Sequence, residues 1–413
     1  MSSVLKQNES TLDAANRPDP SAAFRTADEF QTGRVITLSL GHWIHDSYTA
    51  FLSPLLVVFK ETMGLTNTAA GFLSVIMQEA SLLQPLIGLA ADRFNVRYFM
   101  ILAPAVTAVA MSLLGVANSY AALAVLLIIA GISSACLHAV GPVMAANVSG
   151  RRKLGLGMSI WMVGGELGRF VGPLVIGLTI TARGREATPW LMIGGIAASI
   201  ALLVTLKEPA DRRREIERQK TSLRSALKGK SKVVWVLVGS LLVQVFAQSA
   251  LQTFLPVLLH EEGETLWLAS VSLSILQAAG VVGAMFGGTL SDRLGRRMVL
   301  FLAVLPTSIL MYIFLASSGW VRFPLLVILG FTAISSTPVI MAIVQETFPQ
   351  NRAMANGFYM ALSFVMRSFV VLLTGWLGDL FGMHTAFIVC ATVPLFGLPL
   401  LRLLPAKGAD PVA

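Results

Sequence analysis

Residues 41–52 read GHWIHDSYTAFL and place His42, His45 and Asp46 inside a run otherwise apolar enough to cross a membrane. On a helix, His42 lies one turn before Asp46 and shares its face. The two can therefore share or pass a proton, in surroundings where ionisable groups are costly and normally functional. The pair reads as a proton-coupling element; the alternative is a hydrogen-bonded pair that fixes the packing of the first helix. His45, next to Asp46 in sequence, is expected to point elsewhere, toward substrate.

Glu79, Glu166, Arg169 and Arg367 also fall roughly a dozen residues into apolar runs, which at about 1.5 Å per residue is near the bilayer midplane. Charges at that depth face a bundle interior or an aqueous cavity, so they outline a central site. Glu166 and Arg169 are three residues apart. Either they form an internal salt bridge that lowers the cost of both charges, or an anionic substrate competes with Glu166 for Arg169 and couples binding to proton uptake. Arg367 has no acidic residue within a turn on its own helix and is the expected anion contact, given the fit of guanidinium to phosphonate, phosphate or carboxylate. Glu79 is a rival proton carrier, and His138 is a further candidate for substrate or proton contact. Gln244, Gln248 and Gln252, at intervals of four, paint one helical stripe that lines a cavity or glues helices together. The histidines are scattered along the chain and no carboxylate spacing repeats, so no metal site and no cofactor are expected.

The elements that must position these groups follow from composition. The 413 residues are 55% hydrophobic and 13% charged, with a mean hydropathy of +0.73. Charged residues make up about 25% of a typical soluble chain, so this is a polytopic membrane protein. The apolar runs are long and continuous rather than alternating, which selects helices over a barrel. About 12 spans of about 20 residues fit. They divide into a cytoplasmic tail (1–33), a six-helix half (34–206), a basic linker (207–231), a second six-helix half (232–404) and a short cytoplasmic tail (405–413). Cys136 and Cys390 both lie in apolar runs and form no disulfide framework.

Orientation comes from the basic residues, which accumulate on the cytoplasmic side. With both termini inside, the inner loops carry Arg93, Arg97, Arg151, Arg152, Lys153, the linker cluster, Arg293, Arg296, Arg297 and Arg352. The outer loops carry only Lys60, Arg183, Arg185 and Arg322. The formal net charge of +9 is thus spread over short loops beside anionic lipid headgroups, and no nucleic-acid partner is implied.

The chain also repeats. LIGLAADRFNVR from Leu86 aligns with MFGGTLSDRLGRR from Met285, so that Gly88, Asp92 and Arg93 align with Gly288, Asp292 and Arg293; the same register brings Gly157 onto Gly357. The second copy, ending in Arg296 and Arg297, resembles the G-x-x-x-D-R-x-G-R-R loop of the major facilitator superfamily; the first copy has Asn95 and Val96 where glycine and arginine are usual. The resemblance implies two pseudo-symmetric halves that rock about a midplane site, with the aspartates latching one state against a helix N-terminus and the arginines facing lipid phosphates or acidic partners. Gly164-Gly165-Glu166-Leu167-Gly168-Arg169-Phe170-Val171-Gly172-Pro173 resembles the glycine-proline motif of the antiporter branch, in which Gly168, Gly172 and Pro173 serve helix packing and conformational change. Within the superfamily, the SLGHWIHD run with His42 and Asp46, the ISSACLH run ending at His138, and SIWMVGGELG resemble the fosmidomycin-resistance type of exporter. Ala139 and Val140 depart from that type, as do His45 and Glu166, which stand where asparagines are usual.

These readings converge on a secondary active transporter, most simply a proton-coupled exporter of small anionic or amphiphilic, drug-like compounds that works as a monomer in the bacterial inner membrane. Uptake of an organic anion by symport, or a transporter-shaped sensor without turnover, are the alternatives. An enzyme is the least favoured reading, since the sequence pattern shows no phosphate loop, nucleophile elbow or metal cluster.

Overall fold

The computed structural model describes residues 30–84, 87, 96–150, 153–206, 231–348 and 352–404. Gly88, Asp92 and Arg93, both tails up to residue 29 and from 405, and the linker up to residue 230 lie outside the described residues. Among the described residues there are helices and no strands, as continuous apolar runs in lipid require.

The α-helices are α1 (Thr32–Thr49), α2 (Leu52–Met63), α3 (Asn67–Glu79), α4 (Val96–Leu113), α5 (Tyr120–Ser149), α6 (Leu154–Arg183), α7 (Met192–Thr205), α8 (Ser231–Ser249), α9 (Leu255–Glu261), α10 (Leu266–Leu294), α11 (Arg296–Ala316), α12 (Arg322–Thr347), α13 (Arg352–Phe381) and α14 (Met383–Gly397). Thr66, Ser119 and Thr265 cap α3, α5 and α10 by accepting the backbone N–H three residues on. Ten helical stretches among the described residues are long and apolar enough to span a membrane. Of the two other expected spans, 34–59 is interrupted and 66–91 is described only in part. The first breaks at Ala50 and Phe51, where Pro54 has no N–H for the Ala50 carbonyl and its ring crowds that turn. The second runs from α3 into a 3-10 turn, Ala80–Leu83. A comparable irregularity joins α8 to α9, where residues Ala250–Phe254 form a π-turn just before Pro256.

The two most extensive pairings between the halves run α6 along α10 and α3 along α13. Under the internal repeat these exchange with one another, as a pseudo-two-fold axis demands. At the end of the bundle where α2 and α9 meet, Phe51, Leu55, Phe59, Phe254 and Leu258 belong to one buried apolar cluster contributed by both halves. A separate cluster, including Leu38, Met100, Leu137, Trp161 and Leu202, lies within the first half. The core is therefore shared between halves at the α2/α9 end. Large apolar side chains cover the outside, and Trp190 and Trp320 are exposed beside that same end, as aromatic residues at a membrane interface are.

Glycine ridges set the closest approaches. In the second half, a Cβ on Gly283 or Gly287 would come within 2.2 Å of the Phe331 or Ser335 carbonyl oxygen of α12. Gly288, expected to serve close approach, meets nothing within 4 Å; the seam lies on the other face of α10.

Candidate functional site

The first half builds its site on an equally tight seam between α1 and α6. A Cβ on Gly164 would lie 2.4 Å from the Ser39 carbonyl oxygen, one on Gly168 2.4 Å from that of Trp43, and one on Gly172 2.2 Å from that of Ser47. Only a Cβ-free ridge lets α1 lie this close, and the result is that His42 and Asp46 are pressed against Gly165. His42 stacks on the Trp161 ring with centroids 4.1 Å apart, and its Nδ1 donates to the Trp161 carbonyl oxygen at 2.9 Å.

Asp46 is the hub. His42 Nε2 lies 3.4 Å from Oδ2, His45 Nδ1 2.9 Å from Oδ1, and His138 Nε2 of α5 3.5 Å from Oδ1. Two sequence expectations are corrected here. His45 does not point elsewhere or toward substrate: it is fully buried, and its χ rotation folds the ring back along α1 onto the adjacent carboxylate. Nor are the histidines scattered in space, because packing α5 against α1 brings His138 to the pair. His138 is partly exposed, whereas His42, His45 and Asp46 are buried. The repeat offers no second copy of this cluster: the residues aligned with His42, His45 and Asp46 are Leu242, Val245 and Phe246.

A second group of charges bridges the halves. Arg169 pairs with Glu166 on α6. Arg169 is also within electrostatic reach of Asp46 and of Arg367 on α13, and Arg367 in turn feels Glu166 and Tyr359. Arg367 Nη1 donates to Gln252 Oε1 at 3.1 Å. Two guanidiniums and the Glu166 carboxylate meet between α6 and α13, with Asp46 the second carboxylate within reach of Arg169. Ser368, the next residue, donates to Glu79 Oε1 at 2.6 Å and so ties α13 to α3. The glutamine stripe divides: Gln252 reaches the central charges, while Gln244 and Gln248 are buried, with Gln244 donating to Thr337 at 2.8 Å and lying 3.4 Å from Gln248. Of the two readings of the stripe, cavity lining or interhelical glue, the bond from Gln244 to Thr337 fits a contact between α8 and α12.

The loop signature in the second half is occupied differently from the expectation. Asp292 meets Arg296 at 2.7 Å rather than a helix N-terminus, and Arg296 reaches Glu346 of α12 at 2.7 Å. Arg297 donates to the Leu404 carbonyl oxygen at 2.5 Å instead of facing lipid, and Arg293 is also engaged.

A carboxylate at a helix N-terminus does occur, at the α2/α9 end, and sequence reading missed it. Asp379 of α13 accepts from Asn67 N at 2.5 Å, Thr68 N at 2.9 Å and Thr68 Oγ1 at 2.5 Å. The available signal was Gly375 and Gly378 just before it, both pressed on Asn67. Beside it, Lys60 pairs with Glu261, and His260 Nε2 lies 2.7 Å from Glu61 Oε1. Ser53 donates to the carbonyl oxygen of Thr253, 200 residues on, at 2.7 Å. At that same offset Lys60 aligns with His260 and Glu61 with Glu261, so each half offers a base to the other's acid, an isologous arrangement within one chain.

Comparison with known proteins agrees with this architecture. The family model described as Major Facilitator Superfamily matches residues 38–369 and 268–412. The chain is 27% identical over 400 residues to the fosmidomycin resistance protein of Escherichia coli (strain K12), covering 93% of this chain and 96% of that one. It is 24% identical over 385 residues to an uncharacterized MFS-type transporter of Bacillus subtilis (strain 168), covering 90% and 92%. Among solved structures, a bacterial homolog of the human lysosomal transporter Spinster, inward-facing and occupied, superposes with a TM-score of 0.77 at 14% identity, covering 91% of this chain and 97% of that one. The D-xylose-proton symporter gives 0.72 at 16%, covering 92% and 99%. At those identities the likeness is one of fold.

Proposed function

The chain belongs to the major facilitator superfamily, a family of membrane transporters rather than enzymes, and on that premise we propose that it is a proton-driven exporter of small anionic or amphiphilic organic compounds. The observation that carries this reading is the gathering of His42, His45 and His138 around Asp46, within electrostatic reach of Arg169 in the charged group between the halves. Three imidazoles around one carboxylate store a proton, and its arrival changes the pull of Asp46 on Arg169. Arg169 then shifts between Asp46, Glu166 and a bound anion, while Arg367 supplies a fixed positive contact. Likeness to a protein named for drug resistance supports export. The α2/α9 end carries few basic loops and is read as the outer face, so the ties there belong to a state closed to the outside. The protein acts as a monomer in the bacterial inner membrane with both termini in the cytoplasm, and Glu79, held by Ser368, is a second proton carrier.

The same charges support one other reading. An anion that takes Arg169 releases Glu166, and a released buried carboxylate accepts a proton, so that anion and proton bind together; this is the sign of symport. The two readings separate in proteoliposomes carrying the purified protein, with internal pH followed as candidate organic anions are added. Proton movement opposite to the anion means export by antiport, and proton movement with it means uptake. In either case Asp46→Asn abolishes substrate-dependent proton movement, and Arg367→Gln raises the required anion concentration by about 10-fold or more, as loss of a charged hydrogen bond does. Substrate-dependent proton movement that persists in Asp46→Asn refutes the assignment of the cluster.

A further inference from the structure

We propose that His42, Asp46 and His138 form a binding site for a divalent transition-metal ion of the zinc class. The argument begins with an orphaned atom. A carbonyl oxygen only accepts, so the His42 Nδ1 facing the Trp161 carbonyl carries the hydrogen, and in the neutral ring Nε2 is a bare lone pair. That Nε2 is buried, finds no hydrogen-bond partner among the described residues, and lies 3.4 Å from an oxygen of Asp46. Two lone pairs facing each other are satisfied by a cation between them, a proton or a metal ion.

The ligand atoms of His42, Asp46 and His138 all lie within 4.8 Å of one another, with the Asp46 oxygens 3.4 Å and 3.5 Å from the two ring nitrogens. Bonds of about 2.0–2.2 Å to a tetrahedral zinc-type ion place its ligands about 3.4 Å apart; each imidazole already stands at about that distance from one carboxylate oxygen, His42 from Oδ2 and His138 from Oδ1, so an ion held by both rings takes both oxygens or one oxygen turned between them. Two imidazoles and one carboxylate suit zinc or cobalt better than magnesium or calcium. The outer contacts are also those of a metal site. His42 is oriented by the Trp161 carbonyl, and Asp46 is oriented by His45, as second-layer partners orient ligands. The ring of His42 is clamped between Trp161 and Gly165, where a Cβ would come within 2.4 Å of it. His138 is the partly exposed member, which gives the ion its way in and leaves a fourth position for water. Because a bound ion replaces the protons on the same nitrogens, metal and proton exclude each other.

The probe is Co2+, titrated into the purified full-length protein in detergent without a histidine tag. The expected result is one equivalent of Co2+ with tetrahedral ligand-field absorption, displaced by Zn2+. His42→Ala, Asp46→Asn and His138→Ala each weaken binding at least 10-fold; His45→Gln, which touches only an orienting contact, weakens it about 10- to 100-fold with the absorption shape retained. His384→Ala leaves it unchanged. Because His138 is partly exposed, its variant keeps the wild-type melting temperature and separates ligand loss from unfolding. No absorption at one equivalent overturns the proposal. So does binding that survives His138→Ala, or binding that is lost instead in His260→Ala.

Discussion

Asp379→Ala isolates the energy that holds the α2/α9 end shut. The carboxylate accepts three hydrogen bonds from Asn67 and Thr68 at the N-terminus of α3, across the interface between the halves. Losing a capping side chain costs about 0.5–2 kcal/mol, and losing a negative charge from a helix N-terminus about 0.3–1 kcal/mol at an exposed position. Asp379 is exposed, so the lower part of the summed ranges applies, about 1–2 kcal/mol. All three bonds exist only while the halves touch at this end, and α3 keeps its own cap, Thr66, which accepts from Ala69 N. The loss therefore falls on the open-closed equilibrium rather than on folding, and amounts to about a 5- to 30-fold change in population ratio. Spin labels at the exposed residues Glu186 and Trp320, with Cys136 and Cys390 replaced, report the separation of the halves at this end. The longer-distance component should grow by that factor, with the melting temperature close to wild type. An unchanged distance distribution, or a fall in melting temperature without a distance change, refutes the reasoning.

Reversing Lys60→Glu sets a like charge against Glu261, and adding Glu261→Lys restores the attraction. The pair is partly exposed, so the same distance measurement should shift by about 1.5- to 5-fold in the single variant, recover in the double, and lose sensitivity at high salt. Gly168→Ala pushes a methyl into the backbone of Trp43 and Ser47; it should cost about 1–3 kcal/mol and lower the thermal unfolding midpoint in detergent by several degrees. Gly288→Ala meets open space and should leave the midpoint unchanged or slightly raised by the better helix propensity of alanine.

Helices, their number class and the duplicated halves were legible because lipid leaves the backbone no other choice and the repeat keeps one register over much of the chain. The breaks at Ala50 and in the π-turn lay with Pro54 and Pro256, whose missing donors act on the turn before them. Depth along the apolar runs grouped Asp46, Glu166, Arg169 and Arg367, and these do lie within electrostatic reach of one another. Which atoms meet was not legible: depth says nothing of azimuth, and the azimuth of α5 decides that His138 reaches Asp46. His45 was misplaced because helical spacing fixes Cβ positions, whereas a ring two bonds further out can swing back to its neighbour. Gln244 and Gln248 were left between two readings because a polar stripe marks a face without saying whether that face meets water or another helix. The reciprocal ties of Lys60, Glu61, His260 and Glu261 were hidden because each half alone shows only ordinary loop charges.

At Gly164, Gly168 and Gly172 the seam between α1 and α6 sets glycine directly against backbone, with no long side chain between them to rearrange. Backbone resting on bare glycine has a single fit, with no alternative rotamers to switch between, so α1 and α6 travel as one piece. In the transport cycle proposed above, the histidine cluster is then a fixed fixture whose internal spacing is the same whichever side is open. What changes is the plumbing: which body of water reaches His138, and how near Arg169 stands to Asp46. Timing of the proton is set by access and by one moving arginine, and a screen for uncoupled variants should concentrate on the water path and on Arg169 rather than on the seam.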